Sequence, residues 1–309
     1  MVATLAVLSV VIFAGTELLP GDAVSAVAGQ HASPAQRAEV RTQLGLDRPA
    51  PQRYLEWIGG ALHGDLGPSY TGGRPVTDVI TERLGNSVLL ALAVYLLLIP
   101  LSLTLGTIAG LGSASGRRGR RADRVILVAT VSMLGVPEFL TGGLLLAVFA
   151  VWLGWLPAVS IAPIGGSVLD DPQALLLPVA SLLVVSLGAA TRLVRAGVAN
   201  VAGSPYLEAA RLAGVRGPKL VLRHVLPAAL GPATQVISIG LGTIVGGAVV
   251  VETLFDYPGI GNELQSAVAG RDVPLVQGIA LTLAAVTLVA LLLGDIVARA
   301  LDPATGGRP

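Results

Sequence analysis

Long uncharged stretches dominate the pattern of hydrophobic and polar positions along this chain. Six of them carry no Asp, Glu, Lys or Arg. A helix crosses a hydrocarbon core about 30 Å thick with roughly 20 apolar residues, so each stretch predicts one membrane-spanning helix. The six stretches cover residues 1–16, 86–116, 139–169, 173–191, 225–251 and 273–294.

The first stretch is short and has two interpretations. It fits a membrane span, and it also fits the apolar core of a signal peptide, with Ala26-Val27-Ala28 as a cleavage site. Signal peptides normally open with Lys or Arg, and no basic residue precedes Arg37. The missing charge favours the membrane span.

The third stretch is preceded by a second apolar run. Residues 125–137 are also uncharged, and only Glu138 separates them from residues 139–169. Together the two runs are too long for one straight helix. Because proline removes a helical hydrogen bond, the sequence predicts a break at Pro137.

Basic residues between the spans predict the orientation of the chain. Five arginines lie between the second and third stretches, and six basic residues lie between the fourth and fifth. The alternate short loops contain only Arg271, among several acids. Because Lys and Arg concentrate in cytoplasmic loops, we expect both termini in the cytoplasm and residues 20–85 outside.

Composition supports a membrane protein and excludes several kinds of chemistry. The chain is 53% hydrophobic and 13% charged, about half the charged share of a soluble protein. It has no cysteine, which excludes disulfides, iron–sulfur clusters and thiolate zinc sites. Its one lysine, Lys219, follows Pro218, so the phosphate-binding loop G-x-x-x-x-G-K-[ST] is absent. If this protein uses ATP, another chain binds it.

Two helices are predicted in the outer segment. Ser33 and Gln36 form a capping box around Pro34, and Gly45 ends the first helix. The second is an amphipathic helix that carries Leu55, Ile58 and Leu62 at helical spacing. Two interpretations stay open: surface helices resting at the membrane, or a docking surface for an external protein.

The cytoplasmic stretch 203–227 is the most informative part of the chain. Ser204 and Pro205 predict the start of a short helix, and Gly214 predicts its end. A second short helix is expected to begin at Pro218 and to end before Pro227. The small alanines in the first helix suit a groove on a partner protein. One alternative is an ordinary amphipathic connector helix. Another is a DNA-binding helix-turn-helix, but a recognition helix held between two membrane spans could hardly enter a major groove.

The chain resembles a known family at this point. Glu208-Ala209-Ala210, Gly214 and Leu226-Pro227 match the EAA loop of bacterial ABC-importer permeases. Nearly the whole chain resembles the dipeptide, oligopeptide and nickel permeases of that group. The further matching motifs are Leu19-Pro20-Gly21-Asp22, Leu44-Gly45-Leu46-Asp47, Gly64-Asp65-Leu66-Gly67, Gly73-Arg74-Pro75-Val76, Gly246 to Phe255, Pro258-Gly259-Ile260-Gly261 and Leu301-Asp302-Pro303.

The resemblance departs at the start of the chain. Members of this family usually begin with a basic stretch, whereas this chain begins inside its first apolar stretch. We therefore expect a start that is truncated or assigned too late.

The resemblance implies an all-α fold, that of a type I ABC-importer permease with six transmembrane helices. The expected division is a first transmembrane helix at 1–19, an extracytoplasmic helical segment at 20–85 and a five-helix core at 86–309 with a coupling loop at 200–224. The chain is then a non-catalytic subunit of an ATP-driven importer of peptides or related small solutes, in the bacterial inner membrane.

The same resemblance implies partners and functional residues. The expected partners are a homologous second permease, two cytoplasmic ATPase subunits and an extracytoplasmic substrate-binding protein. This chain binds no cofactor, and ATP and Mg²⁺ belong to the ATPases. The residues expected to couple transport to ATP hydrolysis are Tyr206, Glu208, Ala209, Ala210, Arg211 and Gly214.

Three acids are candidates for the translocation path or an outer gate. Glu138 lies within an apolar run, where it either meets a cationic cargo or forms a helix-break carboxylate at the inner interface, paired with Arg124 or water. Glu252 and Asp256 border the predicted outer mouth, where solvated loop acids are the alternative. We favour the helix-break interpretation of Glu138.

Two other classes of function compete with an importer subunit. A self-sufficient secondary transporter or channel predicts uptake without an ATPase and more charges inside the membrane. A membrane-embedded enzyme needs a nucleophile or a metal site, and the isolated His31, His63 and His224 form no metal-binding pattern. Copurification of ATPase chains separates these classes. The cargo, which includes dipeptides, oligopeptides, glutathione-like molecules and nickel chelates in this family, is not determined by the sequence.

Overall fold

A computed structural model gives the structure of this protein and describes residues 1–18, 23–29, 31–161, 168–229 and 246–301. These residues form helices, loops and one isolated antiparallel bridge between Pro68 and Pro75, with no strand. The predicted all-α fold is therefore confirmed. The helices are α1 (Val2–Leu18), α2 (Ala23–Ala28), α3 (Pro34–Gln43), α4 (Ala50–Leu62), α5 (Val76–Ser113), α6 (Arg117–Leu134), α7 (Glu138–Leu145), α8 (Pro172–Ala202), α9 (Pro205–Leu212), α10 (Gly217–Leu220), α11 (246–254), α12 (Ile260–Ala269) and α13 (Val273–Leu301).

Three helices in the described ranges are long and apolar enough to cross a membrane. They are α5, α8 and α13. A fourth span is possible if α6 and the helical segment Glu138–Trp152 count as one, although their axes bend by 102° at the break. α1 is apolar but only 17 residues long. The fifth predicted span, 225–251, lies mostly outside the described residues, so a total of six stays a prediction.

The break in the third span is confirmed. α6 ends at Leu134, Gly135 caps it, and Pro137 adopts an extended conformation before α7 begins at Glu138. Proline restricts the residue before it to extended conformations, so the helix cannot continue through this point. A π-helical segment, Leu146–Trp152, then extends α7.

Two details of the cytoplasmic loop correct the sequence prediction. α8 continues to Ala202, so Arg192 and Arg195 lie in a helix rather than in a loop. The helix expected to end before Pro227 instead continues through a π-helical turn, Val221–Val225, to residue 229. In that turn the N–H of Leu226 donates to the carbonyl of Val221, five residues back. The wider turn accommodates a proline, which offers no N–H and crowds an ordinary α-helical turn.

Two compact units divide the chain. Unit 1 contains Met1–Val88 and Asp256–Leu288, and unit 2 contains Leu89–Phe255 and Val289–Pro309. Because this division follows packing and not the sides of a membrane, the topological division at residues 19 and 85 stays a prediction.

Unit 1 is held together by an apolar core and a buried carboxylate. Side chains of α5, α12 and α13 form the core, among them Val76, Ile260 and Ile279. Asp272 is completely buried and accepts hydrogen bonds from Ser69 Oγ at 2.6 Å and from Thr71 Oγ1 at 2.7 Å. Asp272 therefore fixes an outer loop to the start of α13.

Unit 2 is built on close contact between α5 and α8. A methyl group at Gly106 would lie 2.6 Å from the Cβ of Val194, and one at Gly110 would lie 2.6 Å from the Cβ of Val198. Glycines four residues apart allow such an approach between helices. The G-x-x-x-G spacing of these two glycines by itself favours a flat helix face, and the contact with α8 agrees with it. The chain has a second such pair, Gly242 and Gly246, of which residue 242 lies outside the described ranges.

The α5–α8 contact predicts a test with two alanine substitutions on one helix. Gly110→Ala should lower the stability of the solubilised transport complex by about 1–3 kcal/mol, because a methyl group overpacks the contact. Gly85→Ala is the matched control, since no described atom lies within 4 Å of a methyl group there. Thermal unfolding of the two variants would show the difference. Equal melting temperatures would contradict the proposed packing.

The buried Asp272 predicts a dependence of stability on pH. Burial by itself raises the pKa of this carboxyl, but hydrogen bonds from Ser69, Thr71 and Tyr70 outweigh it and hold the pKa below its ordinary value. A lowered pKa in the folded state stabilises the protein above about pH 4, the pKa in an unfolded chain, and that stability is lost as the pH falls further.

We expect Asp272→Asn to melt at a lower temperature than wild type at pH 7 and to lose less stability on acidification. Melting temperatures measured from pH 7 to pH 3 provide the test. Asp78→Asn removes an exposed carboxylate and serves as the control. If the melting temperature of Asp272→Asn fell with pH as much as that of wild type, Asp272 would not be the source of this pH dependence.

Candidate coupling surface and translocation path

The predicted short helix of the cytoplasmic loop is present as α9. The hydroxyl of Ser204 accepts a hydrogen bond from the N–H of Leu207 at 3.3 Å, and Pro205 occupies the first helical turn. Gly214 follows the helix with φ +83°, a left-handed conformation that favours glycine. Local sequence therefore determines both ends of α9.

One side of α9 packs onto its own chain. Leu207 and Ala210 are buried in a cluster with Val194 and Val198 of α8. We call this the α8–α9 core, and it also includes Leu220, Val225 and Ala229. Because Val194 and Val198 also contact the glycines of α5, the short helix rests on the close contact between α5 and α8.

The other side of α9 is exposed. Glu208, Ala209 and Arg211 lie on this surface with Tyr206. The resemblance to the EAA loop implies the same role for Ala209 and Ala210, but the structure separates them. Ala209 is available to another protein, whereas Ala210 contacts the α8–α9 core.

Tyr206 has a partner that the sequence did not reveal. Its hydroxyl lies 2.8 Å from Nδ1 of His224, and the two ring centroids are 5.7 Å apart. His224 belongs to the π-helical turn after α10. The sequence analysis treated this histidine as isolated, since no local spacing pattern links residues so far apart. The contact ties the start of α9 to the second helix of the loop.

Two exposed leucines extend the exposed surface of α9 and the turn after α10. Leu212 is 84% exposed and Leu222 is 66% exposed. Exposed apolar side chains beside polar ones are typical of protein interfaces. The sequence analysis did not select either residue, because an apolar residue in a helix is more often buried. We define Tyr206, Glu208, Ala209, Arg211, Leu212 and Leu222 as the coupling surface.

An ion pair connects the helices around this loop. Arg195 of α8 donates from Nε and Nη2 to the two carboxylate oxygens of Asp123 on α6, the second at 2.8 Å. Both side chains are largely shielded from solvent. Such a two-point contact fixes the relative orientation of two helices better than a single hydrogen bond.

Glu138 is placed at the first position of α7, directly after the break. Its carboxylate lies against Gly247 of α11, where a methyl group would be 2.7 Å from Oε2 and 2.8 Å from Oε1. The side chain is half-buried, and it forms no hydrogen bond or ion pair with any described residue. The expected pairing with Arg124 is therefore not present.

An uncharged stretch of α6 separates Glu138 from Arg124, the last charged residue of that helix. Residues 125–134 add about 15 Å of helix at about 1.5 Å per residue before the break.

The other two candidate acids have different surroundings. Glu252 of α11 is completely buried. Asp256 is exposed, has a left-handed backbone with φ 50°, and accepts a hydrogen bond from Nδ2 of Asn262 at 3.0 Å. The structure thus gives Asp256 a local role in its loop and leaves the gating role of both acids a prediction.

The described part of the chain contains no cluster of three or more His, Cys, Asp or Glu residues placed to hold a metal ion. His31 and His63 lie in the outer segment, and Nδ1 of His63 contacts the carbonyl of Gly59 at 2.8 Å.

Comparison with known proteins identifies the family. Residues 102–307 match the binding-protein-dependent transport system inner membrane component, and residues 1–91 match the N-terminal region of such membrane components. The chain belongs to this family of transport permeases. The resemblance inferred from the EAA loop is therefore confirmed.

Curated relatives match along almost their whole length. A glutathione transport system permease protein, GsiC, of Escherichia coli O6:H1 is 33% identical over 98% of this chain and 95% of the relative. The GsiC protein of E. coli strain K12 is 32% identical and that of Pectobacterium atrosepticum 34%, with the same coverage.

Family membership establishes the general function. The chain is a membrane permease subunit of an ATP-driven importer, and it is not itself an enzyme. It works in the bacterial inner membrane with another permease, an ATPase and a binding protein. The alternatives of a self-sufficient transporter or a membrane enzyme are not supported.

Proposed function

We propose that this permease forms half of the translocation path for small peptides or related solutes such as glutathione. Support comes from the GsiC relatives, whose names specify glutathione transport and whose sequences align with nearly the whole chain. The proposed complex contains a homologous second permease, two cytoplasmic ATPase subunits that hold ATP and Mg²⁺, and an extracytoplasmic binding protein. Both termini are proposed to be cytoplasmic, which agrees with the distribution of Arg and Lys.

The coupling surface is proposed to bind the ATPase. The observation that carries this proposal is the two-sided character of α9: Leu207 and Ala210 anchor it, while Glu208 and Ala209 are exposed and Tyr206 is half exposed beside His224. Small Ala209 allows the helix to approach a partner closely. Glu208 lies in the first turn, where the helix dipole favours an anion, and leaves a charge for a basic group on the partner.

Force applied to α9 has a defined route into the membrane. Leu207 and Ala210 contact Val194 and Val198, and these valines contact the glycines of α5. A closely packed contact transmits displacement because its atoms have no free space to yield into. Gly214 provides the turn that separates α9 from α10, so the two helices form distinct contacts. Nucleotide-driven motion of the ATPase would then shift α8 and α5 together, as in a rigid-body switch.

The coupling proposal predicts different effects for two adjacent alanines. Ala209→Trp should abolish uptake and the stimulation of ATP hydrolysis by cargo-loaded binding protein, while the melting temperature of the permease stays unchanged. Ala210→Trp should instead lower stability by about 1–3 kcal/mol, because it overpacks the α8–α9 core. Uptake, ATPase rate and thermal unfolding of the complex provide the test.

Ala38→Trp is a matched control for these variants, since Ala38 is an exposed helical alanine in the outer segment. It should leave transport, ATP hydrolysis and stability unaltered. Normal coupled transport by Ala209→Trp would refute the assignment of α9 to the ATPase interface.

We propose that Glu138 lines the translocation path. A carboxylate without an ionic partner is costly inside a bilayer and normally faces water or a functional cation. Gly247 supports this proposal, since its missing side chain leaves space for the carboxylate. A cargo with a protonated amino group would be attracted to this position as it passes. Glu252 and Asp256 are proposed for the outer gate, with the burial of Glu252 as support.

Glu138→Gln and Gly247→Ala should both reduce uptake without preventing assembly or basal ATP hydrolysis. The first substitution removes the charge, and the second displaces the carboxylate from the glycine. Gly246→Ala is the control, because no described atom lies within 4 Å of a methyl group there. Uptake by vesicles that contain the complete importer measures the effect. Unchanged uptake in both variants would place Glu138 outside the path.

A further inference from the structure

α4 crosses α1 inside the stretch expected to span the membrane. The ring of Phe13 packs edge-on against Tyr54, with centroids 5.4 Å apart, and lies 6.2 Å from the ring of Trp57. The hydroxyl of Tyr54 lies 2.9 Å from Oγ of Ser9. Ser9, Phe13 and Thr16 are the buried residues of α1. Two of these three contact α4, which therefore packs along the body of α1 and not only at its end.

The contacts with α1 indicate how far into the membrane α4 lies. Glu17 is the first charged side chain of the described chain, so it indicates where α1 leaves the apolar layer. Phe13 and Ser9 precede Glu17 by four and eight residues, about 6 and 12 Å along a helix that rises about 1.5 Å per residue. The outer half of a hydrocarbon core is roughly 15 Å thick. The aromatic side chains of α4 therefore lie at the level of the outer leaflet.

An ion pair holds α4 at this level. Arg53 donates from Nη1 and Nη2 to the two oxygens of Glu17, at 2.8 and 2.6 Å. Both side chains are largely shielded. The pair satisfies the two charges at the outer end of α1 and positions the following turn of α4 against Phe13. The aromatic cluster and this ion pair therefore act as two separate attachments.

A second face of α4 is apolar and uncovered. Leu55 and Leu62 are two helical turns apart on one face, with Ile58 between them, and they are 66% and 81% exposed. α1, the helix that α4 crosses, also has exposed apolar side chains, since Val7, Val10 and Val11 are each more than half exposed. Glu56 occupies the polar side of α4, whereas Gln52, three residues before Leu55, borders the apolar stripe.

We propose that α4 lies in the outer leaflet of the membrane, with Leu55, Ile58 and Leu62 in contact with lipid acyl chains. The helix has the features of an interfacial amphipathic helix: an apolar stripe, a polar face and a tryptophan. The depth of the Ser9 and Phe13 contacts favours lipid over a soluble binding protein, which would meet residues beyond Glu17. This inference is independent of the cargo and of the coupling surface.

Spin labels on single cysteines test the proposal, because the natural chain has no cysteine to remove. Leu55→Cys and Leu62→Cys are labelled in the complete importer in lipid nanodiscs, with Glu56→Cys as the matched control on the polar face of the same helix. At the two leucine positions, collisions with oxygen should exceed collisions with a water-soluble nickel reagent. At Glu56 the order should reverse.

A higher collision rate with nickel at Leu55 and Leu62 would overturn the proposal. The proposal would also be overturned if the collision rates with oxygen and with the nickel reagent both fell only after the binding protein was added. That result would identify a protein-docking face.

A second measurement covers the case in which the cysteine variants do not assemble. The double substitution Trp152→Phe and Trp155→Phe leaves Trp57 as the only tryptophan of this chain. A third substitution, Trp57→Phe, then gives the fluorescence that comes from the partner subunits. Lipids brominated on the acyl chains should then quench the fluorescence of Trp57, and absence of quenching would exclude α4 from the leaflet.

Discussion

The rest of this structure depends on the absence of water in the hydrocarbon core, which leaves backbone N–H and C=O groups only each other as partners. The chain meets this constraint by forming helices over most of the described residues. Two shielded acids are placed where partners satisfy them: Asp272 accepts from Ser69 and Thr71, and Asp123 pairs with Arg195. Glu138 departs from this pattern, which is why its position suggests function rather than packing.

Between helices that are equally apolar, the hydrophobic effect provides little attraction inside a bilayer, so close contact must hold the bundle together. Gly106 and Gly110 provide that contact for α5 and α8. The same valines of α8 that meet these glycines also receive Leu207 and Ala210 of α9. One packed region therefore joins a membrane span to the cytoplasmic helix that we assign to the ATPase. This arrangement explains how a short helix without catalytic residues can take part in an ATP-driven cycle.

The two helices α3 and α4 are stabilised in different ways. α3 has no buried residue and is closed by a capping box between Ser33 and Gln36, so its stability is local. α4 instead depends on Phe13 and Glu17 of α1. The two helices thus differ in environment, because only α4 presents aromatic side chains to α1.

The sequence by itself determined the helical fold, the break at Pro137 and both ends of α9, because these depend on local hydrogen bonding, proline geometry and apolar length. It also identified the family through the EAA motif. Only the tertiary structure separated Ala209 from Ala210, paired Tyr206 with His224 and carried the helix through Pro227. Those features depend on which side of a helix meets a distant segment, and neither hydrophobic periodicity nor residue spacing specifies that contact.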